Sequence, residues 1–358
     1  MVRAATVREQ SAFSHENRFL TGAALIGTLG LLTGCGKPQG TLFPEIKPAV
    51  VWPSTPELPR IRLVGMISGS RDLHAAVSGA EVFKAVLRGP RPPINLSSPN
   101  MVALGPGRLI AVSDGSGGAV HLIDLDQRTH RTCSGWSDDE RFDVPIGVAW
   151  VGNRLFVSDA GRHEIIELDD FGGYRGRFGS EELSRPVGIA YVSEKRRLYV
   201  VDGAAHDLVV FDLDGTFERR IGRRGSAPGT FNFPSHIACR DDRLLVADSG
   251  NFRVQMLDLE GACLKIIGQK GDGAGDFSLP KGVAFNSDGH IYVADSHFEN
   301  VQIFDEEGRL LLAIGEEGTA AGSFSLPAGI AIDENDRIWV ADAGNRRLQV
   351  FDYLRNEE

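Results

Sequence analysis

Residues 277–315 read FSLPKGVAFNSDGHIYVADSHFENVQIFDEEGRLLLAIG. The stretch falls into four short runs: Gly282–Asn286, Ile291–Asp295, Val301–Asp305 and Arg309–Ile314. Between them lie Ser287-Asp288-Gly289-His290, the polar loop Ser296–Asn300, and Glu306-Glu307-Gly308. Glycine supplies the positive φ that such turns require. Runs of this length, rich in β-branched and aromatic residues, predict a four-stranded antiparallel meander. None is long enough to carry a helical pattern.

The same pattern recurs through residues 96–354. Each copy opens at a proline: Pro99, Pro145, Pro186, Pro234, Pro280 and Pro327, spaced 41 to 48 residues apart. Three residues after each proline stands Val or Ile, then Ala, as in Val102-Ala103 and Ile330-Ala331. Each second run ends in an acid: Asp114, Asp159, Asp202, Asp248, Asp295 and Asp342. A four-stranded unit repeated at this period is the pattern of propeller blades, which bury their faces only against one another. The fold class is therefore all-β, a six-bladed β-propeller of four-stranded antiparallel blades.

Pro327–Asp352, Pro280–Asp305 and Pro234–Asp258 best preserve a PxGIA…IYVADxGNxRVQxFD pattern. In this the chain resembles the NHL-repeat family of six-bladed β-propellers, over about residues 96–354. The resemblance implies a fold and leaves activity open, because one propeller hosts many functions.

The last copy stops at Asp352-Tyr353-Leu354, after its third run. An isolated run, RIRLVGMISG at residues 60–69, resembles the fourth runs of other copies and is expected to complete the last blade. Closing a ring this way removes an exposed sheet edge. Residues 70–95 interrupt the pattern. His74–Leu87 has partly helical apolar spacing, weakened by Ser78-Gly79 and ended by Gly89-Pro90. Two readings stay open for it: a short helix packed on the propeller, or an amphipathic segment facing a membrane or partner.

Residues 1–34 read as a signal peptide. Arg3, Arg8 and Arg18 precede the apolar run Phe19–Gly34, which is shorter than the roughly 20 residues that span a bilayer. The run closes at Leu32-Thr33-Gly34-Cys35, which resembles the bacterial lipobox. The resemblance implies lipidation at Cys35, and a membrane partner through that lipid. The expected location is the bacterial cell envelope, extracytoplasmic and lipid-anchored, at the outer membrane if two membranes are present. Residues 35–59 carry six prolines and are expected to form an extended tether.

The net charge of −10 argues against nucleic acid as a partner. Cys133, Cys239 and Cys263 read as free thiols, with a Cys239–Cys263 bridge as the alternative. The propeller resemblance implies a ligand face where the residues beside each proline meet the loop after each aspartate. On it stand Asn100, His236 and Lys281, with Arg162, His163, His206, Arg253, His297, Asn300, Arg346 and Arg347 from the loops. That face is locally basic on an acidic body and suits a protein partner or an anionic glycan. The Asp-x-Gly-Asn-x-Arg pattern of Asp248–Arg253 and Asp342–Arg347 has a second reading, in which it holds its own loop.

His236 stands where other copies have glycine or methionine. Peptidyl-hydroxyglycine lyases, related six-bladed propellers, hold zinc with histidines at such positions on several blades. Here the matching positions are Met101, Gly147, Gly188, Gly282 and Gly329, whereas catalytic zinc wants three protein ligands. No metal, cofactor or catalytic residue is assigned. The expected function is a non-catalytic binding or scaffold module for a protein partner or envelope polymer. The alternative is a metal-dependent lyase or hydrolase, lyase-like or lactonase-like, working at the channel mouth.

Overall fold

The structure is a computed structural model that describes residues 40–54, 56–74, 86–87, 89, 92–137 and 139–355. The chain divides into two units. Of the first, residues 1–38 with 76–91, only Val86, Leu87 and Gly89 are described. The leader, Cys35 and most of His74–Leu87 thus lie outside the described residues. The second unit, residues 39–75 with 92–358, holds every described strand.

The stretch that opened the sequence reading forms strands Pro280–Phe285, Ile291–Asp295, Asn300–Phe304 and Leu310–Ile314, paired antiparallel in chain order. Five such four-stranded sheets follow one another at 99–133, 145–178, 186–221, 236–267 and 280–314. These are blades one to five. The inner strands touch in sequence, and the inner strand of the last sheet, Pro327–Ile332, touches that of the first, Pro99–Leu104. The result is a closed, six-bladed propeller.

The core lies between blades. Each of six apolar clusters draws mainly on two neighbouring sheets, as where Tyr292 and Ile303 of blade five meet Ile338 and Phe351 of blade six. Three connections into the later blades share one device. Phe231, Phe277 and Phe324 are fully buried, and their rings lie where a Cβ would sit on Gly222, Gly268 and Gly315. Those glycines also have positive φ, between +73° and +86°, so a side chain there meets both a filled space and a disfavoured backbone.

Closure of the ring follows the sequence expectation. Ile61–Ile67 pairs antiparallel with Arg347–Tyr353, from Ile61 opposite Tyr353 to Ile67 opposite Leu348. The sixth sheet also carries a fifth strand, Val51–Trp52, paired with Ile61 and Arg62. The described part of the expected tether is therefore packed chain. Phe43 covers Gly65 and tilts against Trp339, and Trp52 stands edge-on to Phe351 with ring centroids 5.7 Å apart. Apolar contact outweighs the extended bias of the prolines here.

The ends of the 70–95 insertion are tied together. Gly69 bridges Asn95, the Ser70 N–H donates to the Ile94 carbonyl, and Leu73 of the 3-10 turn Ser70–Leu73 is fully buried. Cys133, Cys239 and Cys263 are unbridged thiols. Burial raises the Cys239 thiol to about 11, and it donates to the Tyr191 carbonyl.

Because Ile61 is fully buried in the interface between blades five and six, Ile61→Ala should cost about 2–4 kcal/mol in urea unfolding. A loss under about 1 kcal/mol would mean that the early strand is an accessory to the ring rather than part of it.

Candidate functional site

The loop face is built on the six aspartates that end the second strands. All six are fully buried. Each accepts backbone N–H groups from the turn just before an inner strand, at 2.5 to 3.1 Å. The donors are Ser97 and Ser98, Asp143 and Val144, Ser184 and Arg185, Asn232, Ser278 and Leu279, and Ser325. In four blades the same carboxylate also accepts backbone N–H groups of the loop that follows it, as at Gly117 and His297, and in blades four and six it accepts the side-chain amides of Asn251 and Asn345. Burial works to raise the Asp114 carboxyl, but His121 and the amides of Ser97, Gly117 and Ser98 outweigh it and hold it at about 2.

In blades four and six a second layer fills in behind the carboxylate. Arg253 Nε donates to Asp248 at 2.8 Å, and Arg347 Nε to Asp342 at 2.8 Å. The other guanidinium nitrogens donate to carbonyls of Ser226, Ala227 and Thr230, and of Thr319, Ala320 and Ser323. Gln255 and Gln349 complete the sets. Arg253 and Arg347 are each 8% exposed, which corrects their placement on the accessible face. The loop-holding reading of Asp-x-Gly-Asn-x-Arg is the one the geometry realises. In blade one the place of Gln255 is taken by His121, whose Nε2 lies 3.4 Å from Asp114 and whose Nδ1 lies 2.9 Å from His130 Nε2.

The residue four after each aspartate has φ between +54° and +61° in all six blades, and in blades two and three its side chain latches the next blade. His163 reaches the Ser184 carbonyl of the next blade, and His206 Nδ1 accepts the Phe233 N–H at 2.9 Å. His206 is 7% exposed, so it braces the face and does not present its own ring.

His236 also moves from ligand candidate to structural contact. At the matching positions, a Cβ on Gly147, Gly188, Gly282 or Gly329 would run into the backbone of the next inner strand. His236 is accommodated with its Nδ1 accepting the Val283 N–H of blade five at 3.1 Å. Burial pushes its imidazole down to about 4, so it is neutral at pH 7. Among the described residues no three His, Cys, Asp or Glu side chains converge to hold a metal ion.

Of the other candidates, Arg162 is engaged by Glu164 and Glu140 and lies over Trp136. Asn300 is half-buried. Lys281 is half-buried, and His163, His297 and Arg346 are exposed. Three groups escaped the sequence reading: Arg185, Phe233 and Leu326, each immediately before a proline. Phe233 and Leu326 are both 53% exposed, with φ of +47° and +51°. Their fixed place beside the aligned prolines is the signal that marks them in the sequence. Lys281, Arg185 and Arg346 have no carboxylate within ion-pair distance among the described residues.

With this geometry in hand, comparisons with known proteins place the chain. The NHL repeat model matches residues 277–304 and 324–351, and a 6-bladed beta-propeller model matches residues 181–240. Residues 277–304 and 324–351 are thus NHL repeats within a six-bladed β-propeller. Similar solved structures include an auxiliary nutrient binding protein from Bacteroides thetaiotaomicron, at 14% identity and TM-score 0.58 over 73% of this chain and 70% of that one. A virginiamycin B lyase from Staphylococcus aureus matches at 13% identity and TM-score 0.55, over 75% of this chain and 86% of that one. A streptogramin B lyase matches at 12% identity and TM-score 0.52, over 72% and 94%. At such identities the likeness is one of fold. No curated protein sequence matches the propeller significantly.

Breaking a buried ion pair costs about 3–5 kcal/mol, whereas an exposed surface change costs about 0.5 kcal/mol or less. Arg253→Ala should therefore lower stability by about 3 kcal/mol, and Arg346→Ala should leave it unchanged within error. Chemical denaturation of the two variants reads this contrast, and equal losses would contradict the assignment.

Proposed function

We propose that this propeller is a non-catalytic binding module of the bacterial envelope, lipid-anchored through Cys35 and extracytoplasmic, holding a protein partner or envelope polymer on its loop face. The observation that carries the reading is the trio Lys281, Arg185 and Arg346. Each is a cation on a rigid face with no carboxylate within ion-pair distance among the described residues. Such charges attract anionic partners and set orientation more than raw affinity. The names of two similar folds, auxiliary nutrient binding proteins from Bacteroides ovatus and Bacteroides thetaiotaomicron, support a binding role for this architecture. The leader and lipobox-like Leu32–Cys35 support the anchor.

Two measurements test the proposal. The full chain expressed in a bacterium should fractionate with membranes, and Cys35→Ser should release it; no change in partition would refute the lipid anchor. The soluble body, residues 36–358, should bind polyglutamate, a stand-in for an acidic protein surface, in a salt-sensitive manner. Replacing Arg185, Lys281 and Arg346 together by Ala should weaken that binding at least tenfold with little change in Tm. Unchanged binding would remove the loop face from the account.

A further inference from the structure

The seam of the ring lacks a packing device that other blades share. In blades two to five the turn between the third and fourth strands lies on the blade before. A Cβ on Gly172, Gly215, Gly261 or Gly308 would there meet Cys133, Phe178, Ile221 or Ile267 of that blade's outer strand. Blade six has no such turn, because its fourth strand is Ile61–Ile67 and does not follow Tyr353 in the sequence. The described part of residues 53–60 stands in its place and leaves a cavity of about 650 Å³ against blade five. Sites for small molecules have volumes of about 300–1,000 Å³.

The cavity pairs apolar walls with a cluster of donors. Ile61 and Ile303 are buried in its wall, and Leu311 and Leu312 come from the outer strand of blade five, Leu310–Ile314. Leu58, 71% exposed, forms a lip. Arg60, His290 and Tyr353 also line it and are neighbours. The Leu354 N–H donates to the Arg60 carbonyl at 2.7 Å, which sets Arg60 beside Tyr353, and the His290 ring stands edge-on to the Tyr353 ring with centroids 6.1 Å apart. All three can donate. Arg60 is exposed and has no carboxylate within ion-pair distance among the described residues. Asn286 Oδ1 accepts the His290 N–H at 2.8 Å and its Nδ2 faces the ring Nδ1 at 3.5 Å, which leaves Nε2 to carry the imidazole proton. Burial raises the Tyr353 hydroxyl, which keeps it protonated. Asp288 and Asp336, the acids near Tyr353, are already paired with Arg355. Glu57, the acid among the lining residues, is exposed next to Leu58 on the lip.

We propose that the seam cavity binds a free single-chain fatty acid. The alkyl chain lies on Ile303, Leu311 and Leu312, and the carboxylate takes charge-assisted hydrogen bonds from Arg60, His290 and Tyr353. An apolar volume beside three donors matches an acyl anion. A cationic amphiphile would be opposed by Arg60, and an apolar peptide side chain would leave the donors unmatched. The site shares no residue with the loop face and stands apart from the function proposed above.

The test titrates the soluble body, residues 36–358, with octanoate, dodecanoate and dodecyltrimethylammonium by calorimetry. Each buried methylene adds about fourfold in affinity, so dodecanoate should bind at least tenfold more tightly than octanoate. Dodecyltrimethylammonium, with the same chain and the opposite charge, should bind at least tenfold more weakly than dodecanoate. Leu311→Trp and Leu312→Trp each place an indole in the cavity and should weaken dodecanoate binding at least tenfold. Leu311 is 50% exposed, so its variant should keep the parent Tm even where Leu312→Trp fails to fold. Arg60→Gln should weaken dodecanoate about tenfold and leave dodecyltrimethylammonium unchanged. Replacing Arg185, Lys281 and Arg346 together by Ala should leave dodecanoate binding intact. No dodecanoate binding, undiminished binding to the Leu311→Trp variant, or equal binding of the two head groups would overturn the site. Sedimentation with phosphatidylglycerol vesicles that Leu58→Asp abolishes, without dodecanoate binding, would also overturn it and make the lip a membrane contact.

Discussion

Six carboxylates buried at the ends of the second strands organise this propeller. A charged group removed from water has to be matched by donors, and each aspartate finds them in the backbone turn that leads into an inner strand. The bond is local in effect and global in consequence. It fixes the entry of every inner strand, and the inner strands are where the blades meet. Where the aspartate has a free oxygen left, as in blades four and six, Arg253 and Arg347 fill it and go on to hold the connecting loops. Where it does not, other groups serve: His121 in blade one, and Glu164 and Asp207 paired to Arg162 and Arg220 in blades two and three.

This arrangement separates residues that look alike in sequence. Arg346 and Arg347 are adjacent, yet one is exposed and the other is enclosed by five acceptors. The difference is the left-handed backbone at Arg346, which turns its side chain away from the carboxylate that Arg347 meets. The same backbone state at His163 and His206 directs their rings across to the next blade. Much of what reads as a basic recognition surface is thus the fastening of that surface, and the exposed remainder is smaller and partly aromatic.

The fold was legible because its determinants repeat. Six prolines and six aspartates at one period state the number of blades, and a run resembling a fourth strand at residues 60–69 states how the ring closes. The site was less legible because it depends on what does not repeat. Room for a side chain at the position of His236 is set by the distance to the next inner strand, which no local pattern encodes. The packed course of residues 40–59 depends on Phe43 and Trp52 meeting Trp339 and Phe351, far along the chain. Phe233 carries no charge and matches no motif. Its exposure and left-handed φ mark it, and Leu326 in blade six shares both.

The central claim, that buried aspartates pin the turns of the loop face, is tested most directly by amide hydrogen exchange. The amides of Ser98, Val144, Arg185, Asn232, Leu279 and Ser325 lie in surface turns outside the sheet ladders, where exchange is ordinarily fast. The account predicts protection comparable to the inner strands at all six, with Asp248→Asn lowering it at Asn232 more than at the other five. Rapid exchange at these amides in the unmutated protein would contradict it.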